Sequence, residues 1–459
     1  MTQNGNLHFV GIGGIGMSAI ARIALSRGER VTGSDVSESP LIQELRDLGA
    51  IVTVGHDARN VNGAREIVVS SAIDPSNPEY ACAQERGIPV VRRGEMLRRI
   101  MEGRRGIAIC GTHGKTTTTA MTATVLRGGG IDASLVLGGI DVNTGTNAHD
   151  GSAPWFLTEA DESDGSFALL DPAIAVVNNI ENDHLASDAE LPALVAQFEA
   201  FLAKLPEDGT AIVGVDNGHS RSIAASARRA QTVTFGIAQP AEVRASAIRY
   251  TGLGSQFDVI AGGVCLGTIE LQVPGEINIA NALAAVCVAR ALEVPFARIK
   301  TSLATFRGVR RRFDIVANTP RMIVVDDYAH HPTAVRATIA AARAYHRGPV
   351  IVAFQPHRYS RTAYLAADFA DALSGADSVY LAPVYAASEA PIEGVSERSI
   401  GEPLAARGAD VHYVKYVHDL RSVLPRDVPQ GALVLMLGAG NITKAAADLA
   451  RDLTQPANA

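Results

Sequence analysis

Cysteine is scarce. Four residues (Cys82, Cys110, Cys265, Cys287) are scattered over 459 positions, each in an apolar segment and none in a C-x-x-C pair. That argues against a disulfide framework and a cysteine zinc site, and buried thiols in a reducing cytosol are expected. The chain has no basic-then-apolar leader and no apolar run near the roughly 18 residues of a membrane-spanning helix, so a cytoplasmic protein with no membrane partner is expected. Long basic runs are missing and the net charge is −7, which argues against a nucleic-acid partner. Internal repeats and low-complexity tracts are missing too. Monomer and homodimer are both compatible with these features.

What is present is 47% apolar residues and 43 glycines, as in a globular α/β protein with many tight turns. The length suggests about three domains. The chain is organised around residues 104–120. Gly106–Cys110 reads as an apolar strand, Gly111-Thr-His-Gly-Lys-Thr as a tight turn, and Thr117–Val125 as a helix without Gly or Pro. A strand, a glycine turn ending in Lys-Thr and a helix cradle phosphate, because backbone N–H groups and the helix dipole face the anion. Gly111, Thr112, His113, Gly114 and Thr117 supply the cradle. Lys115 reaches the β- and γ-phosphates, and the Thr116 hydroxyl can ligate Mg²⁺. Ile109 stands where the common G-x-x-x-x-G-K motif has its first glycine, so this is a shorter variant.

Upstream, strand Leu7–Val10 runs into Gly11, Gly13, Gly14, Ile15, Gly16 and Met17, a G-x-G-x-x-G turn. Helix Ser18–Ser26 and a strand ending in Asp35 follow, an acid about 20 residues past the glycines. Alone this spacing predicts NAD, but the geometry serves any diphosphate on a helix N-terminus. His56 and Ser71 follow later strands at the edge where ligands bind, and each reads equally well as a solvated loop residue. Six arginines in 92–105 read as a solvated face. The first boundary falls near Gly103.

After the phosphate turn, strand 155–159 ends in Glu159, Asp161, Glu162 and Asp164, carboxylates suited to a nucleotide-bound Mg²⁺. Strand 173–178 leads to His184, a possible second metal ligand or a plain surface histidine. Residues 232–270 are strand-rich and read as an antiparallel excursion. Asn278 and Asn281 share one face of a helix start, where Asn reads an adenine edge or merely caps. Of Arg310–Arg312, one facing the γ-phosphate would stabilise transferring charge. The last third alternates strands and helices, a parallel doubly wound sheet. Two of its strands are tipped with reactive groups, one with Asp326, Asp327, Tyr328, His330 and His331, the next with His357, Arg358 and Arg361. That edge is expected to face substrate.

Taken together, His8-Phe-Val-Gly-Ile-Gly-Gly-Ile-Gly-Met-Ser, Gly111-Thr-His-Gly-Lys-Thr, Glu159-Ala-Asp-Glu-Ser-Asp, Arg311-Arg-Phe-Asp, Asp326-Asp-Tyr-Ala-His-His-Pro and Phe354-Gln-Pro-His-Arg-Tyr-Ser-Arg-Thr resemble the Mur ligase family over nearly the whole chain. The resemblance implies three α/β domains: a Rossmann-like UDP-sugar domain (1–103), a central P-loop ATPase sheet (104–313) and a C-terminal Rossmann-like domain (314–459) that closes on the site and binds the amino acid. It reassigns Gly11–Met17, Asp35, His56 and Ser71 to a UDP-sugar. It implies ATP and Mg²⁺, with Thr116, Glu159 and His184 as metal ligands. Lys115, Asn278, Asn281, Arg312 and Asp327 take nucleotide and catalytic places, and His357 and Arg358 take places for the substrate and amino acid. The implied reaction is ATP-dependent ligation of L-alanine to UDP-N-acetylmuramate through an acyl phosphate, in peptidoglycan precursor synthesis. A tripeptide-recycling ligase on the same sugar acid is the alternative within the family. An NAD-dependent oxidoreductase is the alternative outside it, and it leaves the phosphate turn unexplained. The sequence departs from the family at Ile277 and Ala186, where His and Asp are usual, so altered nucleotide affinity without loss of chemistry is expected.

Overall fold

The computed structural model describes residues 5–162, 165–182, 188–227 and 230–454. Their contacts gather into two units: residues 1–180, 194–244 and 282–302, and residues 181–193, 245–281 and 303–459.

The first unit opens with β1 (Asn6–Val10), β2 (Val31–Asp35), β3 (Ile51–Val54), β4 (Ala64–Val69) and β5 (Val90–Arg92), all parallel, in the order β3-β2-β1-β4-β5. The order reverses direction at β1 and β4, where such sheets open a crevice at their carboxyl edge. Helix starts are written in the sequence: Ser39 and Asn77 accept backbone N–H groups of the helices they precede, with Pro40 and Pro78 at the first helical position.

The same unit holds β6 (Arg105–Cys110), β7 (Ser134–Val136), β8 (Ala148–His149), β9 (Trp155–Glu159), β10 (Pro172–Val177), β11 (Thr210–Gly214), β12 (Gln231–Gly236) and the start of β13 (Val243–Thr251). The order from β12 is β12-β11-β10-β6-β9-β7-β8, with only β7 and β8 antiparallel. The expected antiparallel excursion is thus partly corrected, since β12 pairs parallel to β11 from Thr210–Gln231 to Gly214–Phe235. β13, which the sequence reading did not identify, has its first two residues parallel to β12.

In the second unit β14 (Gly254–Ala261) and β15 (Val264–Leu271) form the antiparallel hairpin. Cys265 is exposed on it, against the expectation of buried thiols that Cys82, Cys110 and Cys287 meet. The unit's six-stranded sheet comprises β16 (Asp314–Asn318), β17 (Met322–Asp327), β18 (Val350–Phe354), β19 (Ser378–Leu381), β20 (Val411–Tyr413) and β21 (Ala432–Leu437), in the order β16-β17-β21-β18-β19-β20. Only β16 is antiparallel. Val350, Val352 and Phe354 enter one apolar cluster with helices Pro332–Tyr345, Ala366–Leu373 and Arg398–Ala406. Ile351 and Ala353 enter a second cluster with helices Leu420–Asp427 and Ile442–Thr454. Burial on both faces is why these strands read as unbroken apolar runs.

Candidate active site

The phosphate turn is shaped by glycines that accept no side chain. Gly111 has φ +118°, and a Cβ there would lie 2.8 Å from the Asn179 carbonyl oxygen. Gly114 (φ +82°) precedes helix Lys115–Gly128. Two asparagines past β10 brace the turn: the Thr112 N–H donates to the Asn179 carbonyl (3.0 Å) and the His113 N–H to Asn179 Oδ1 (2.7 Å). Both asparagine Nδ2 groups donate to the His113 carbonyl at 3.2 Å.

Lys115 Nζ donates to the Gly111 carbonyl (2.7 Å) and lies 2.8 and 3.0 Å from the two Glu162 oxygens. Burial alone would lower the lysine pKa, but Glu162 and then Asp161 raise it, so Lys115 is a fixed cation. Thr116 Oγ1 donates to Glu159 Oε2 (3.0 Å), and Glu159 Oε1 accepts the Gly138 N–H (2.5 Å). Lys115, Thr116 and Glu159 thus meet as the linear pattern implied, while Thr117 is buried on the helix. His184, Asp164 and the Ala186 departure lie outside the described residues. Glu162 as the lysine's partner was missed; its only signal was membership of the acidic run.

At the first glycine loop, Gly11 has φ +76°, Gly14 caps helix Ile15–Ser26, and Ile15, Gly16 and Met17 form its first turn. Asp35 closes the loop from β2, accepting the Gly13 N–H at 2.9 Å. Its carboxylate holds the loop's shape. His56 is part-buried after β3, and Ser71 is exposed in the turn after β4. The expected solvated arginine face is corrected in part. The Arg93 guanidinium lies beside Gly16, 3.3 Å from where a Cβ would stand, and Arg104 donates to the Gly151 and Ala153 carbonyls. Arg93 was missed, although it opens the helix directly after β5 at the ligand edge. The loop helix is also tied to the central sheet, since Asn147 Nδ2 donates to the Ile15 carbonyl (2.8 Å) and Ser18 Oγ (2.9 Å).

In the second unit Asn281 Nδ2 donates to Asn278 Oδ1 (3.1 Å), and Asn278 Nδ2 donates to the Pro274 carbonyl (2.7 Å). Asn278 therefore pins the helix start after Gly275, and Ile277 lies part-buried next to it. Asp327, read as catalytic, is a clasp: its oxygens accept the N–H groups of Phe313 and Ala329, both at 2.7 Å. Burial pushes its pKa up against the opposing pull of Arg312 and these hydrogen bonds. The clasped turn is strained, with Arg311 at φ +63° and Phe313 at φ +47°. Arg311 and Arg312 lie over the Tyr328 ring at 4.8 and 5.1 Å. From there a ring series continues through His330 to His357, which stacks on Tyr385. Arg358 is exposed, at φ +70°, with its N–H on the Tyr385 carbonyl. The edge thus links Arg312 through Tyr328 and His330 to His357, with the Arg358 backbone held beside it by Tyr385. Tyr385 and Gln355, which bonds Asn441 (2.7 Å), were missed because their partners are remote in sequence.

Three family profiles cover most of the chain: "Mur ligase family, catalytic domain" at residues 6–105, "Mur ligase middle domain" at 109–289 and "Mur ligase, glutamate ligase domain" at 311–440. The chain belongs to the Mur ligase family. Among Mur ligases, it is similar to the UDP-N-acetylmuramate–L-alanine ligase of Geobacter sp. (strain M21), 44% identical over 95% of both chains. The crystal structure of the UDP-N-acetylmuramate-alanine ligase MurC of Thermotoga maritima superposes with a TM-score of 0.84 at 29% identity, covering 98% of this chain and 99% of the other. The murein peptide ligase mpl of Psychrobacter arcticus shares the fold, with a TM-score of 0.74 at 23% identity over 96% and 99%. The Mur ligase assignment agrees with two glycine loops in one chain, each at the mouth of a parallel sheet. Among the described residues no helix is long and apolar enough to cross a membrane.

Proposed function

We propose that the protein ligates L-alanine to UDP-N-acetylmuramate with hydrolysis of ATP to ADP and phosphate, a cytoplasmic step of peptidoglycan precursor synthesis. The observation that carries this reading is the phosphate turn, where a charged Lys115 and a Thr116–Glu159 pair stand at a helix N-terminus. Relatives matching 95% of the chain are named for this reaction. Residues 1–103 hold the UDP-sugar, with its diphosphate on Gly11–Gly16 beside Arg93 and its uridine toward His56 and Ser71. Residues 104–313 hold ATP, and 314–459 hold the amino acid.

A lactyl carboxylate oxygen attacks the γ-phosphorus, the bond to the β-phosphate bridging oxygen breaks, and ADP leaves. The alanine amine then attacks the acyl carbon, phosphate leaves, and the amine loses a proton. Lys115 exchanges Glu162 for phosphate oxygens and stabilises the charge that develops on them. Arg312 adds a second cation, held in place by the Asp327 clasp. His357 and Arg358 orient the amino acid, whose carboxylate suits a guanidinium. The Thr116 hydroxyl and Glu159 carboxylate are hard oxygen donors that fit Mg²⁺, and the ion would neutralise phosphate charge; the resemblance adds His184, which lies outside the described residues. Asn278 and Asn281 border the nucleotide base.

Phosphate release from ATP with UDP-N-acetylmuramate tests the reading. Turnover with L-alanine is expected. Turnover only with L-alanyl-γ-D-glutamyl-diaminopimelate would move the assignment to the recycling ligase, the reading that the shared mpl fold leaves open.

A further inference from the structure

Glu79 is completely buried in the first turn of helix Pro78–Glu85, and no step of the ligation uses it. Its Oε2 accepts from Ser34 Oγ (2.6 Å) and His8 Nε2 (3.2 Å). Its Oε1 accepts from Asn60 Nδ2 (2.6 Å) and the Asp57 N–H (3.3 Å), with His56 Nδ1 at 3.4 Å. One carboxylate thereby gathers β1, β2 and the turn after β3. Burial alone would push its pKa up, but the hydrogen bonds from His8, Ser34 and Asn60 outweigh it and hold the pKa at about 2.

The network orients His56. Ser34 spends its proton on Glu79, so its oxygen accepts from His56 Nδ1 at 3.0 Å. Nδ1 therefore acts as a donor, an assignment made from the hydrogen-bond network. Nε2, on the far side of the ring, has no hydrogen-bond partner among the described residues.

We propose that Glu79 is a positioning residue for the nucleotide-sugar site: acting through His56, directly and through Ser34, it sets the ring's orientation so that Nε2 is left to hydrogen-bond a polar group of the uridine. This rests on the placement of the UDP-sugar given above. Carboxylate–histidine pairs orient imidazoles in this way wherever the far nitrogen does the binding.

The test is calorimetric titration of UDP-N-acetylmuramate into wild type, E79Q, H56A and the double variant without ATP, with steady-state kinetics beside it. H56A is expected to weaken sugar binding about tenfold, the worth of one hydrogen bond. E79Q is expected to weaken it by a similar factor, and the double variant no further than H56A alone. The KM for ATP and the kcat at saturating sugar nucleotide should move less than about twofold, since the loss lies in uniform binding. Additive losses, or an E79Q defect spread over every kinetic constant, overturn the positioning role. Unchanged binding by H56A overturns the placement of uridine against His56. Failure of the wild type to bind overturns the UDP-sugar reading itself. Should E79Q not fold, S34A keeps the carboxylate paired while deleting the Ser34 bridge to Nδ1 and leaving only the longer direct contact. S34A should then give a smaller selective loss that vanishes in the H56A background, and persistence of that loss there overturns the proposal.

Discussion

Lys115 shows what a single residue carries here. Two glutamate oxygens, a carbonyl and a helix start surround one ammonium. Removing the charge while keeping the chain length, as in Lys115→Met, should lower kcat/KM for ADP formation by about 10²–10³, the range for loss of one preorganised donor to transferring charge. UDP-N-acetylmuramate binding, measured calorimetrically, should be unaffected; full ADP production by the variant would remove Lys115 from the mechanism. Glu79 carries stability as well. Its pKa is held at about 2 against an ordinary carboxylate value near 4.3. The ionised form is thus favoured by folding, on the order of 3 kcal/mol. That contribution is fully present above about pH 4.5 and is lost as pH falls through the folded pKa. The stability gap between wild type and E79Q, from urea melts, should be widest near pH 7 and should close toward pH 2–3. A gap independent of pH would mean that Glu79 packs but does not pair.

At the scale of elements, what the sequence showed depended on how local the cause was. Strand, glycine turn and helix around Lys115 are adjacent, so their chemistry could be read from spacing alone. The doubly buried strands were legible as apolar runs for the same reason. Asp35 had the spacing of the acid in a dinucleotide fold, and its carboxylate accepts from Gly13, because side-chain direction is settled by the folded loop. Glu79 and Tyr385 had no signature, and Glu162 and Arg93 only their places in an acidic and a basic run, since their partners lie on other elements. Asp327 took a catalytic place by resemblance, and only the folded turn shows the N–H groups it holds. Glycines separate in the same manner. In β2, a Cβ on Gly33 would stand 2.6 Å from Ile12 Cδ1 and 2.8 Å from the Phe9 carbonyl oxygen, while Gly28 has φ +80° with open space around it. Gly33→Ala should therefore cost about 1–3 kcal/mol through overpacking of the loop-bearing sheet, and weaken UDP-sugar binding with it. Gly28→Ala should cost only about 1–2 kcal/mol of backbone strain and leave binding alone. Urea melts with paired titrations check both, and equal effects on binding would disconnect the packing under Ile12 from the loop.

For the whole molecule, the division of labour follows from where the anion cradles lie. Both glycine loops, at Gly11–Gly16 and Gly111–Lys115, belong to the first unit, and the Asn147 bonds to Ile15 and Ser18 tie the first loop's helix to the sheet that carries the second. The residues proposed for the amino acid, His357 and Arg358, belong to the second unit. A ligand as small as L-alanine has few atoms with which to bind by itself, whereas a nucleotide-sugar offers a diphosphate, a base and two sugars to one preformed edge. UDP-N-acetylmuramate at 100 times its Kd should thus stabilise the first unit by about 2.7 kcal/mol, a rise in Tm of roughly 5–10 °C for a body of that size. L-alanine alone at the same concentration should produce no rise. Calorimetric scans with each ligand separately decide it: a comparable shift by L-alanine alone would place a formed amino-acid site in the unliganded protein and contradict the assignment of nucleotide-sugar binding as the step that the first unit performs unaided.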